Sequence, residues 1–121
     1  MSHRKPDPAD DPAYLYDMLQ AARWVAEFVK GRTFDEFVND VLLRSAVERQ
    51  IEIVGEAAWR VSEATRAVNP AIPWTKIAGQ RHRIIHEYGQ LDYAILWRVA
   101  TDHVPALIRE LERIVPAPPT A

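Results

Sequence analysis

VLLRSAVERQIEIVGEAAWRVS, residues 41–62, is the longest periodic stretch of the chain. Leu42, Val47, Ile51, Val54, Ala58 and Val61 recur at steps of three to five, the pattern of a helix with one apolar face. The run has no proline and one glycine, Gly55. A glycine in the middle of a helix costs about 1 kcal/mol relative to alanine, so Gly55 points to close packing of another helix at that place. Arg44, Glu48, Glu52, Glu56 and Arg60 follow at four-residue steps and read as one charged ridge with i,i+4 partners.

Outward from this helix the rest of the chain also reads as helical. Upstream, Asp11 is placed to cap a first helix, with Pro12 at its first position, where the missing N–H does no harm. Tyr14, Leu15, Met18, Ala22, Val25, Ala26 and Val29 form its apolar face, and Gly31 stops it. Thr33-Phe-Asp-Glu36 is a capping-box pattern opening a second segment that breaks near Asn39–Asp40. Downstream, VNPAIPW (68–74) breaks the chain with two prolines. A helix is expected from about Trp74 to His86. Another, capped by Asp92, is expected over about 93–114, kinked near His103 by Pro105. Leu96, Val99, Leu107, Leu111 and Ile114 make its apolar side. No segment alternates as a strand does. The fold class is therefore all-α: an antiparallel up-and-down bundle of four to five helices joined by short loops. Residues 12–115 form one helical domain between two flexible Pro-rich tails, 1–11 and 116–121. The four tryptophans, Trp24, Trp59, Trp74 and Trp97, are each expected in the core.

Composition narrows the function. The chain has 121 residues, enough for one modest core. Its formal net charge of -2 argues against a general nucleic-acid binder and leaves room for a local basic patch. Most of its 15 basic residues are Arg, the side chain suited to bidentate pairing with carboxylate or phosphate. Without cysteine there is no disulfide and no thiolate metal site, which fits a reducing cytoplasm. The first thirty residues lack the plan of a signal peptide, and no apolar run is long enough to span a membrane.

The chemistry concentrates in RHRIIHEY, residues 81–88. A charged run on a helix is most often a solvated face. On an unbroken helix Arg81 and Tyr88 share a side, while His86 stands roughly 140° from Arg81. If the helix ends near His86, as Gly89 suggests, Tyr88 folds back and all three groups can surround one small anion. Such a set suits cleavage of RNA without a metal. Imidazole exchanges protons with the ribose 2′-hydroxyl or the leaving oxygen, guanidinium meets the charge on phosphorus, and a phenol holds phosphate or stacks on a base. The competing reading makes His82 and His86, four apart, metal ligands with His103 or Glu87 as a third. No HExxH order supports it, and no metal or other cofactor is assigned.

Arg81-x4-His86-x-Tyr88 resembles the signature of the HEPN superfamily. SAVERQIEIVGEAA (45–58) and IPWTKIAGQRHRIIHEYGQLDYAILW (72–97) resemble two blocks of its HepT-type branch, so the likeness covers about 12–115. It implies a compact helical bundle that forms a homodimer with two motif copies facing a shared cleft. It further implies a metal-independent endoribonuclease, the toxin of a type VII-like toxin-antitoxin pair. In this pair a minimal nucleotidyltransferase antitoxin silences the toxin by transferring AMP to the motif Tyr. Carried over, Arg81 and His86 are catalytic, Tyr88 is a site residue and the AMP acceptor, and tRNA or mRNA is the RNA substrate. Pairing would bring two copies of Arg81, Arg83 and His86 into one positive cleft. His82 departs from the family, where Asn usually follows the Arg; it supplies one donor and one acceptor only when neutral. Glu52 or Glu56 is the candidate for orienting Arg81 from the long helix. The alternative function is a non-catalytic helical subunit that binds nucleotide or a nucleotidyltransferase partner.

Overall fold

The computed structural model describes residues 6–80 and 92–116. Among them the regular structure is helical throughout, and no strand occurs. After a 3-10 turn at Pro8–Asp10 the elements are α1 (Asp11–Val29), α2 (Phe34–Asn39), α3 (Val41–Arg60), α4 (Glu63–Val68), α5 (Trp74–Ala78), α6 (Tyr93–Arg98) and α7 (Val104–Ile114). A π-helical turn, Val99–His103, joins α6 to α7.

The helix ends follow local chemistry. Gly31 leaves α1 at φ +72°, a left-handed conformation that glycine adopts without strain. The capping box of α2 is formed in both directions: Thr33 Oγ1 accepts from the Glu36 N–H (3.1 Å), and Glu36 Oε1 accepts from the Thr33 N–H (2.9 Å). Asp40 caps α3 through the Leu43 N–H, and Asp92 caps α6 through the Ile95 N–H. Pro105 acts as expected, but the outcome is a widened turn. The Val104 N–H bonds five residues back to Val99 O, so the last helix continues through a π turn instead of breaking.

Helices α1 and α3 run antiparallel and share the largest interface of the fold. Their polarity is fixed where Asp11, at the start of α1, meets Ser62, just past the end of α3. The α6–α7 helix is antiparallel to α1 in turn. Phe34 and Phe37, beyond the end of α1, pack against Trp97 with tilted rings, and Arg23 pairs with Glu112 at 3.1 Å. Between these helices Met18, Ala22, Val25, Val47, Ala58, Leu96, Ala100 and Leu111 are sealed from solvent. This is the all-α antiparallel bundle expected from the sequence.

Several local expectations are corrected. Asp11 is the first residue of α1, not its cap; Asp10 precedes the helix and makes no side-chain cap bond. Asp11 is instead 3% exposed and accepts from the Ser62 N–H, Ser62 Oγ and Thr65 Oγ1. It thereby tethers the start of α1 to α4, a helix capped by Ser62 that no apolar periodicity announced. Leu42 is 80% exposed, and Leu43 takes its core position because the register Val47–Ile51–Val54–Ala58 extends back by four to 43. The charged ridge on α3 is not a single face, since each four-residue step turns about 40° further round the helix. Arg44 leaves it to donate to Val38 O and to lie 4.6 Å from the Tyr93 ring centroid, while Glu52 pairs with Arg49, three residues back. Of the tryptophans, Trp74 is buried and Trp97 half-buried, whereas Trp24 (53%) and Trp59 (71%) face solvent.

Candidate functional site

The motif expected to carry the chemistry, with Arg81, His82, Arg83, His86, Glu87 and Tyr88, lies outside the described residues, as does the expected helix end near Gly89. The structure describes what stands on either side of it.

On the upstream side is α5. Trp74 roots this five-residue helix: its ring is buried and its Nε1–H donates to Asn69 O at 3.0 Å. Ile77, also buried, faces α3. The contact is backbone-close at Gly55, where a Cβ would stand 3.2 Å from Ile77 O. The glycine that interrupts the apolar pattern of α3 thus marks close helix packing, as the sequence suggested, and the helix packed there is α5. On the downstream side Tyr93 opens α6 with the Arg44 guanidinium over its ring, and Asp92 caps the helix by accepting from the Ile95 N–H. Both sides rest on α3, one near its C-terminal third and one at its first turn.

The two carboxylates assigned to orient Arg81 also sit on α3. Glu52 is half-buried, with Oε1 3.1 Å from Arg49 Nη1. Glu56, one turn on, is exposed. His103, named as a possible third metal ligand, is exposed on the π turn. Among the described residues no three His, Asp or Glu side chains gather as a metal site would require.

A pocket of about 350 Å³ opens between α3, the 71–73 loop, α5 and α7. Its walls include Ile51, Val54, Ile77 and Leu107, and among the described residues its polar side chains are Gln80, His103, Arg109 and Glu110. The sequence reading passed over Gln80, Arg109 and Glu110. Arg109–Glu110 looks like ordinary helix surface, and only the folded arrangement of α3, α5 and α7 shows that it lines a pocket.

Residues 18–114 match the family model described as ribonuclease HepT-like. "Putative RNase MJ1380" of Methanocaldococcus jannaschii is 39% identical over 103 residues, covering 85% of this chain and 94% of that protein. "Putative RNase TTE0752" of Caldanaerobacter subterraneus is 36% identical over 102 residues, 84% of this chain and 91% of the other. "Probable ribonuclease HepT" of Thermococcus cleftensis is 32% identical over 101 residues, 84% and 92%. No solved structure gives a significant match. With a model match across four-fifths of its length and relatives aligned nearly end to end, the chain belongs to the ribonuclease HepT-like family.

Proposed function

We propose that the chain is a metal-independent endoribonuclease that works as a homodimer in the cytoplasm. It is the toxin of a type VII-like pair whose minimal nucleotidyltransferase antitoxin silences it by transferring AMP to Tyr88. The observation that carries this reading is the presence of Arg81-x4-His86-x-Tyr88 inside a family match spanning residues 18–114. His86 takes the proton from a ribose 2′-hydroxyl. The freed oxygen bonds to the adjacent phosphorus, the P–O5′ bond breaks, and the 5′-oxygen leaves with a proton returned by imidazolium. The products are a 2′,3′-cyclic phosphate and a 5′-hydroxyl. Arg81 meets the charge on the phosphoryl oxygens, and Tyr88 holds the phosphate. AMP on Tyr88 would put a second phosphate where the substrate's belongs. His82 and Arg83 support the site, and Glu52 or Glu56 orients Arg81.

The test is incubation with tRNA and mRNA in excess chelator. His86→Ala is expected to reduce the rate by about 10²–10⁴-fold, the usual contribution of a general acid–base group. Arg81→Ala, which removes a charge aimed at the transition state, is expected to cost about 10²–10³-fold. Cleavage that requires added metal, or that survives both substitutions, would overturn the mechanism.

A further inference from the structure

We infer that the pocket between α3, α5 and α7 holds one base of the RNA, and that the base is guanine; this rests on the ribonuclease reading. Ligand pockets run from roughly 300 to 1,000 Å³, so one of about 350 Å³ suits a single ring system. Val54, Ile77 and Leu107 provide apolar surface for a flat ring, and His103 adds an imidazole on which a base can stack. Gln80, on the pocket wall, is one peptide bond from Arg81, so a base seated here belongs to a nucleotide beside the reacting phosphate.

The polar groups select among bases. A carboxylate accepts from adjacent N–H groups, and only guanine offers a ring N–H next to an amino group on one edge. Glu110 supplies that carboxylate; it is half-buried, and its Oε2 lies 3.6 Å from Arg113 Nη1. Guanine O6 is an acceptor, and Gln80 and Arg109 are donors. Adenine would turn a ring-nitrogen lone pair toward Glu110, and uracil would bring two carbonyls to the same edge.

The experiment measures binding apart from cleavage. The probe is fluorescent 2′-O-methyl hexauridylate, and the same oligomer with a single G, A or C; methylation removes the attacking hydroxyl. The single-G oligomer is expected to bind about tenfold tighter than the others, the discrimination typical of one edge-reading pair. Ala106→Trp, at the exposed rim of the pocket, fills it; Glu110→Gln keeps the shape and removes the charge. Both should abolish the preference and leave hexauridylate binding within about twofold, because backbone contacts elsewhere supply the base-independent affinity. Should Ala106→Trp fail to fold, Glu110→Gln decides alone. Equal binding of all four oligomers by the native chain, no binding of any, or a preference that persists in the folded variants overturns the proposal. The ribonuclease reading fails separately, if the single-G oligomer binds tightly and its unmodified form is never cut.

Discussion

The α1–α3 pair and the two short helices beside residues 81–91 are held in place by different means. The α1–α3 interface is long, apolar and redundant: Met18, Ala22, Val25, Val47 and Ala58 are all 0–1% exposed and interlock along the two helices. Helix α5 has five residues, too few to persist without tertiary support, and α6 opens the helix that runs on through the π turn into α7. On α3, α5 rests at the Gly55–Ile77 approach and the first turn of α6 under the Arg44–Tyr93 pair, while Trp74, Ile77, Leu96 and Trp97 pack into the core. One region thus carries the stability, and the other brackets residues 81–91 in the sequence. Substitutions in the first should unfold the protein, whereas substitutions in the second should move function with little change in stability.

The sharpest challenge to this division is a cavity in the frame. Met18→Ala removes a fully buried side chain and should cost about 2–5 kcal/mol, read as a lower denaturant midpoint. Activity per folded molecule should stay near the native value. A folded Met18→Ala protein with activity reduced as far as its stability would show that the frame and the motif are not separable.

The frame also has a polar joint, where Asp11 ties α1 to the α3–α4 corner. Burial pushes the Asp11 carboxyl up, but hydrogen bonds from Ser62 and Thr65, with the nearby Arg66 guanidinium, outweigh it and hold the carboxyl below its ordinary value. A carboxylate lowered on folding stabilises the protein above its unfolded value of 3.8, and that contribution is lost as pH falls through the folded value. Acid unfolding should therefore gain a component that Asp11→Asn removes. At neutral pH the same variant should be weaker by about 1.5–3 kcal/mol, the range for hydrogen bonds to a charged group. Parallel acid titrations of the two proteins' stability would refute the assignment.

How much of this was legible in the sequence differs between the two regions for a physical reason. The frame is written in apolar periodicity, so α1, α3 and the last helix were read with boundaries within two residues, and the Thr33–Glu36 box gave the start of α2. Helix α4 was missed because its few residues bury nothing; it exists because Ser62 caps it and Asp11 grips that cap. The exposed Trp24 and Trp59 were misassigned because bulk and apolarity do not say which helix face a residue occupies. The motif was proposed from residue types, spacing and a family likeness and lies outside the described residues, whereas the pocket went unread because its lining comes from segments far apart in the sequence. Gly55 is the exception: one residue whose cost in an isolated helix foretold a tertiary contact.

Gly55→Ala tests that contact directly. Alanine is favoured over glycine within a helix by about 1 kcal/mol, and the new methyl would stand 3.2 Å from Ile77 O, so α5 must give by a few tenths of an ångström. The two effects nearly cancel, and net stability should change by less than about 1 kcal/mol. RNA cleavage should fall by up to about tenfold, since a misplacement of about 1 Å can cost about 10²-fold and the shift here is a fraction of that. A gain in stability with unchanged cleavage would mean that α5 yields without moving the motif.

The smallest effect is expected at α6. Arg44→Ala removes a cation over the Tyr93 ring and a donor to Val38 O. A partly exposed cation–π pair contributes about 0.5–1 kcal/mol, so the melting temperature should drop by only a few degrees. The local consequence should be clearer than the global one. Asp92 still caps the Ile95 N–H, yet without Arg44 the first turn of α6 opens more often, so amide exchange at Ile95 and Leu96 should quicken severalfold. Amides in the middle of α3, such as those of Ile51 and Val54, should exchange as before, because they open only with the whole frame. Equal acceleration in both places would mean that the Arg44 stack belongs to the frame and not to the first turn of α6 alone.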